Sequence, residues 1–292
     1  DVCSSDLVGS IEPSDVDDFM NEPGFTGFPG GVDANGSVRD YFLDVSGDLI
    51  TYDNDVIPVY YRASNTYAYW RDQPMGNMDA LVTEALLWLD QVYGYDFTGL
   101  DGDGDGEIDA INVPTAGYFT GGFALHPHTS TSINVQLDGL WARTYQNTYL
   151  GNSGCQLAIV CHENGHMLFR WPDLYASAPN SAGNLTGFCL MGLVAGSNPP
   201  QPNMALKIDA RWVSPLVLSP ELATGLASSE MNMASILSHP YGNGGSETYV
   251  IENRQKTGRD AGIADSGLAI YRLLDNGTST DFVLVEADGR YD

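Results

Sequence analysis

From Met78 to Tyr93 the apolar side chains fall into a stripe: Leu81, Ala85, Trp88 and Val92, at spacings of four, three and four. That is the period of an amphipathic helix, and it predicts one over 78–93 with Trp88 in the core. A second helix is predicted from Gln156 to about Phe169, with Leu157, Ile159, Val160, Met167 and Leu168 as its apolar flanks. A shorter one is predicted over Ser37 to Ser46, opened by a serine N-cap. Elsewhere the period drops to two. "LITY" (Leu49–Tyr52) and "VIPVYY" (Val56–Tyr61) lie on either side of an Asn-Asp turn and predict a hairpin, whose second run Pro58 confines to an edge or a bulge. "EIDAINV" (Glu107–Val113) reads as the next strand. The last third changes character: "TYVIEN", "LAIYRL" and "FVLVEA" are alternating strands separated by glycine-bearing turns.

This order, mixed α and β followed by mostly β, predicts an α+β fold. Residues 8–214 are expected to form one portion and 215–292 a β-rich C-terminal portion, truncated at its end. No internal repeat or low-complexity linker interrupts the chain. Residues 21–36, rich in glycine and proline, read as an entry loop, and turns rich in Asn, Pro, Ser and Gly follow the second long helix as far as about Pro202.

Composition narrows the class. With 43% hydrophobic and 11% aromatic residues, the 292-residue chain is too apolar to be disordered and long enough to bury a sizeable core. No apolar run approaches the roughly eighteen residues of a membrane span. The 38 acidic residues against 12 basic ones give a formal net charge of −26. Such a field repels phosphate backbones and excludes nucleic acid as a partner. It suits calcium and a salty exterior, and equally an acidic solvated surface.

The first seven residues, "DVCSSDL", match a translated sequencing adapter and are expected to be an artefact, which removes Cys3 from the cysteine count. The true N-terminus is then missing. Cys155, Cys161 and Cys189 remain, an odd number compatible with one disulfide and a free thiol whose pairing the sequence does not assign.

The predicted helix at 156–169 carries His162-Glu163-Asn164-Gly165-His166, an HExxH motif. Residues four apart share a helical face, so both imidazoles reach one ion. Glu163 lies beside them, placed to work as a general base. Zinc suits the motif because it lowers the pKa of a bound water toward neutrality while keeping an open coordination position. A catalytic zinc has three protein ligands as a rule. Trp171-Pro172 ends or turns the helix, and Asp173 just beyond is the nearest carboxylate. Asp173 either swings back to the metal or caps the turn or another ion; Asp209 is the reserve ligand.

"LDGDGDGEIDAIN" (Leu100–Asn112) places Asp101, Asp103, Asp105, Glu107 and Asp109 at alternate positions, with Gly106 at the sharp turn. This matches the first half of a calcium loop. The EF-hand's closing glutamate is replaced by Asn112, so the stretch is a variant calcium loop with a bracing role, or an acidic Asp-Gly turn. His126 and His128 in "LHPHTS" are surface histidines or line a cleft, His239 reads as a loop residue, and "GFCLMG" (Gly187–Gly192) by itself is an apolar turn around Met191.

Taken together these segments resemble the immune inhibitor A-type family of secreted bacterial metalloproteases. The resemblance rests on "NEPGF", "GSVRDYFLDVSG", "YDFTGLDGDGDGEIDAINV", "CHENGHMLFRWPDLY" with "CLMG", "YVIENRQKTGRDAGIADSGLAIYRLLD" and "VLVEADG", and spans nearly everything after residue 8. It implies a metzincin-like catalytic domain, Met191 as an apolar floor under zinc, hydrolysis of protein or peptide substrates, secretion, and an N-terminal pro-segment.

The chain departs from the family pattern HExxHxxGxxD. The string from His166 to Asp173 is one residue longer, neither Phe169 nor Arg170 is glycine, and Ala176 stands where a second acid is usual. Either a non-glycine residue takes the left-handed conformation at about 1 kcal/mol, or the extra residue lets the turn form without a positive φ. The expected zinc ligands are therefore His162, His166 and Asp173, with Glu163 as general base. The alternatives are a calcium-braced binding or adhesion module with a degenerate zinc site, and a structural zinc.

Overall fold

The computed structural model describes residues 11–71, 76–117, 125–175, 185–192, 194–218, 235–241, 245–275 and 280–285. The adapter-like stretch with Cys3 and the end of "FVLVEA" lie outside the described residues. The chain divides by compactness into a first unit of residues 1–38 and 53–170, and a second of residues 39–52 and 171–292. Residues 171–214, which the sequence groups with the metal motif, thus belong by compactness with the β-rich part. Helices and sheets occur in both units, and the fold class is α+β.

The first unit begins with α1 (Pro13–Asn21), where the Asp15 carboxylate accepts from the N–H of Glu12 at 2.7 Å and Pro13 loses no helical hydrogen bond. Helix α2 (Val38–Ser46) starts at the unit's edge and belongs almost wholly to the second unit. The short α3 (Tyr67–Arg71) precedes α4 (Gly76–Trp88), which continues as one π-helical turn, Leu89–Tyr93, closed by Gly94 at φ 78°. That turn corrects the predicted stripe. A π turn takes an extra residue, so the face is rotated beyond Trp88 and Val92 is 71% exposed. The buried stripe is Met78, Leu81, Val82 and Leu86, while Trp88 is half-buried with its ring 5.3 Å from that of Tyr61.

The predicted hairpin over 49–61 does not form; these residues are neither helix nor strand. Side chains take the place of the ladder. Asn21 Oδ1 accepts from the N–H of Asn54 at 2.8 Å, Asn21 Nδ2 donates to the Asn54 carbonyl at 2.8 Å, and the Tyr60 hydroxyl donates to the Ile11 carbonyl. Pro58, which has no N–H to give, sits inside the run that was expected to pair.

Strand β1 (Asn112–Ala116) begins later than predicted. Glu107 makes only an isolated bridge to Trp141. With β2 (His128–Ser130) and β5 (Tyr145–Leu150) it forms a three-stranded sheet in the order β1-β5-β2, β1 parallel and β2 antiparallel to β5. Pro114 is tolerated because β1 is an edge. Between them β3 (Val135–Leu137) and β4 (Leu140–Ala142) form a hairpin whose turn, Asp138-Gly139, has φ of 49° and 95°, the positive-φ pair of a type I′ turn. Helix α5 (Leu157–Phe169) lies against β5 and β2.

The second unit contains most of α2, α6 (Met204–Asp209) and a five-stranded sheet in the order β10-β9-β8-β7-β6. Its strands are β6 (Leu216–Val217), β7 (Ser235–Tyr241), β8 (Gly245–Arg254), β9 (Gly267–Asp275) and β10 (Thr280–Leu284). All pairings are antiparallel except β6 with β7. The strands read from "TYVIEN", "LAIYRL" and "FVLV" fall within β8, β9 and β10 and their margins. His239 lies in β7 opposite Glu247, not in a loop.

Strand β8 explains an oddity of its sequence. Val250, Glu252 and Arg254 alternate onto one face, and all three are buried. Arg254 reaches Asp260 Oδ1 at 2.6 Å and Glu252 Oε1 at 3.5 Å. The Tyr271 hydroxyl donates to Glu252 at 2.5 Å, and buried Lys207 donates to Gln201. A guanidinium, an amine and two carboxyl groups are thus enclosed together; burial draws the Lys207 pKa down to about 7 and raises those of Glu252 and Asp260, so each charge there depends on its partners.

Candidate metal centre

Helix α5 is set by its entry as well as by its sequence. Gly154, at φ 92°, lies so close under the Phe28 ring that a Cβ there would come 2.1 Å from Cδ2. The Ser153 carbonyl accepts from the N–H of Val32 at 2.8 Å. Only glycine fits at 154, so the chain enters α5 from a defined direction. Along the helix Leu157, Ala158, Val160, Cys161 and Met167 are buried, and so are three polar side chains, His162, Glu163 and Asn164.

His162 and His166, one turn apart, meet edge to face, with ring centroids 4.8 Å apart at 84° and Nε2 atoms 3.1 Å apart. The helix then ends in the manner that the sequence left open. Phe169 is its last residue, and Arg170 takes the left-handed conformation at φ 57°, its N–H aimed at the carbonyls of Gly165 and His166. A non-glycine residue therefore takes the left-handed conformation, the first of the two outcomes that the sequence left open. The other reading, a turn without a positive φ, is not what forms.

Asp173 follows within seven residues of His166. One ligand atom from each of His162, His166 and Asp173 can be chosen so that all lie within 4.8 Å of one another. Asp173 is exposed, His166 half-buried and His162 buried. In the second unit, next to Asp173, the Leu174 N–H donates to the Met191 carbonyl at 2.7 Å, and the Leu174 carbonyl accepts from Leu185 at 2.7 Å. Met191 is fully buried. The turn "GFCLMG" admits no side chain at Gly192, where a Cβ would stand 2.1 Å from the Leu185 carbonyl oxygen. Arg254 donates to the Phe188 carbonyl at 2.9 Å, and the Asn203 N–H lies 3.4 Å from Cys189 Sγ. Asp209, the reserve ligand, is the last residue of α6 and is not grouped with the histidines among the described residues.

Glu163 has a partner that its own helix does not supply and that the sequence reading missed. Thr129 Oγ1, on β2, lies 2.9 Å from the Glu163 carbonyl oxygen and 3.4 Å from Oε2. The one signal available was the position of "HTS" directly after His126 and Pro127, and it carries no distance information. His128 is buried, its Nδ1 2.7 Å from the His126 carbonyl and its Nε2 3.4 Å from the Tyr145 hydroxyl. Burial lowers its pKa below the ordinary 6.5. Neither His126 nor His128 is grouped with His162 and His166 among the described residues.

Of the five acids expected to bind calcium, Asp101, Asp103 and Asp109 bring ligand atoms within 4.8 Å of one another. The loop folds around Asp101, which accepts from the N–H groups of Gly104 at 2.7 Å and Gly106 at 3.0 Å. Gly106 has φ 86°, the sharp turn read from the sequence. Asp105 and Glu107 stand outside that group; Asp105 accepts from the N–H of Glu107, and Glu107 pairs with Arg143 at 2.6 Å. Cys155, Cys161 and Cys189 are buried thiols with no disulfide among them. Burial alone pushes the Cys155 thiol up to about 12.

The donor set suits zinc. Two imidazole nitrogens and a carboxylate are the borderline N/O ligands of an open catalytic site, and Zn–N bonds of about 2.0–2.1 Å in tetrahedral geometry separate two nitrogens by roughly 3.3 Å. The observed 3.1 Å is close to that spacing. No family model matches the chain, and no curated protein matches it.

Proposed function

We propose that this chain is a zinc-dependent endopeptidase of metzincin-like architecture, in which His162, His166 and Asp173 hold the ion and Glu163 is the general base. The observation that carries this reading is the grouping of those three ligands on and just after a helix that also presents a buried glutamate. When bound, zinc polarises the scissile carbonyl and acidifies the attacking water. Glu163 takes the proton from that water and hands it to the departing amine nitrogen, so that no charge is left on the leaving group. Its low exposure, 7%, keeps bulk water from competing for the carboxylate. The resemblance to the immune inhibitor A-type family supports the same activity, and with it secretion and protein or peptide substrates. Calcium on Asp101, Asp103 and Asp109 is the proposed brace of the loop that leads to β1, a hard ion suited to carboxylate oxygens.

The test is to purify the full chain, measure bound zinc, and assay casein cleavage by wild type and Glu163→Gln. The expected outcome is zinc in both proteins and cleavage by wild type alone. Zinc in both and cleavage by neither would leave a binding module in place of an enzyme.

A further inference from the structure

Strand β2 is three residues long and lies at the edge of its sheet, yet it is fastened from both faces. On one face the Ser130 hydroxyl donates to Asp79 Oδ1 at 2.9 Å, and the Tyr145 hydroxyl donates to the same oxygen at 2.7 Å. His128, two residues from Ser130, turns to that same side and meets Tyr145. Thr129 points the other way, as strand alternation requires, and there it meets Glu163 twice, at the carbonyl and at Oε2. The ladder to β5 runs through all three residues, with Thr129 opposite Gln146.

We propose that Thr129 is a positioning residue for Glu163, a hydroxyl that registers the carboxylate of the general base against the sheet. The inference rests on the reading of Glu163 as that base. The bond to the carbonyl at 2.9 Å fixes the main chain of Glu163. The approach to Oε2 at 3.4 Å shares the hydroxyl's single proton with the carbonyl and is the weaker of the two; its importance is that it falls on the reacting group itself. A helix carbonyl has two lone pairs, one of which the helix uses, so Thr129 takes nothing from α5. Threonine is suited to the role because its β-branch leaves χ1 stiff. With β2 held on its far face by Asp79, Thr129 has little freedom to follow Glu163 if the carboxylate swings. A carboxylate that must take a proton from one atom and give it to another gains rate from being held in one orientation.

Thr129→Val keeps the branch and removes the hydroxyl; Thr129→Ser keeps the hydroxyl. On a quenched peptide that the wild-type protein cleaves, Thr129→Val is expected to lower kcat about tenfold with KM within about twofold. Zinc affinity, measured by competition with a chromophoric chelator, is expected to stay within about twofold of wild type, and Thr129→Ser to recover most of kcat. An unchanged kcat in Thr129→Val overturns the proposal. So does an equal loss in Thr129→Ser, which makes the methyl group the cause, or a loss matched by weaker zinc binding, which places the effect at the ligands. Full cleavage by Glu163→Gln would instead remove the general-base reading, an outcome separate from these.

Discussion

The Nε2 atoms of His162 and His166 face each other at 3.1 Å. Two neutral imidazoles can share that separation only if one of them donates a proton, whereas a cation between them uses both lone pairs. His166→Gln is accordingly expected to weaken zinc binding by more than the roughly 10–100-fold that loss of a mere supporting partner costs. Titrating the metal-free protein with zinc in the presence of a competing chelator measures the change. Affinity within threefold of wild type would exclude His166 as a ligand.

Arg170 is the residue in the left-handed position after α5. Arg170→Gly is expected to raise stability by about 0.5–1 kcal/mol, and Arg170→Val to lower it by at least as much, since a β-branched residue tolerates positive φ least. Urea unfolding midpoints of the three proteins check the order. A glycine variant less stable than wild type would show that the arginine side chain contributes more than its backbone conformation costs.

Much of the site is legible in the sequence because it is local. HExxH puts the two proposed ligands and the proposed base on one helix by its spacing, and the prediction of α5 over 156–169 agrees with the helix observed at Leu157–Phe169. The predicted strands of the last third survive because alternation is a short-range signal. Beyond Trp88 the pattern misled because one π turn shifts the face by a residue, and nothing in the order of apolar residues marks such a turn. The hairpin at 49–61 failed for a different reason: Asn21 and Ile11, far back in the chain, take the backbone and side-chain bonds that a ladder would have made. Thr129 was invisible because it meets Glu163 across 34 residues of chain.

The Asp101, Asp103 and Asp109 carboxylates repel one another when no cation lies among them. Calcium is expected to raise the thermal midpoint of the wild-type protein and to leave that of Asp103→Asn unmoved. At a calcium concentration of about 100 Kd the stabilisation is about 2.7 kcal/mol for one site. Equal shifts in both proteins would place the ion elsewhere.

His128 is buried, and its pKa lies below the ordinary 6.5. The unfolded chain therefore takes up a proton at a pH where the folded chain does not, so stability is lost as pH falls through about 6.5 and below. Burial outweighs both the His126 carbonyl and the Asp79 carboxylate, which favour the protonated ring. In urea titrations at pH 7 and pH 5, His128→Phe is expected to show the smaller loss between the two. A loss equal to that of wild type would mean that other groups govern the acid limb.

Arg254 holds Glu252 and Asp260 in a fully buried cluster. Arg254→Met is expected to cost about 3–5 kcal/mol, the penalty of a buried charge left without its partner. Burial raises the pKa of both carboxyls and the arginine draws them back down, so the loss grows as pH rises and they ionise. Combining Arg254→Met with Glu252→Gln is expected to cost less than the sum of the two single losses. Strict additivity in chemical denaturation would show that the charges do not interact.

Leu174 spends both of its peptide groups on later parts of the chain, its N–H on Met191 and its carbonyl on Leu185. This sets an order in time. A nascent polypeptide emerging as far as residue 184 already contains both histidines, the glutamate and Asp173, but neither partner of Leu174. The proposed zinc ligands are all synthesised before the clasp that steadies the third of them exists. The proposed centre is then expected to assemble only once Met191 has been translated, later than the helix that bears the motif.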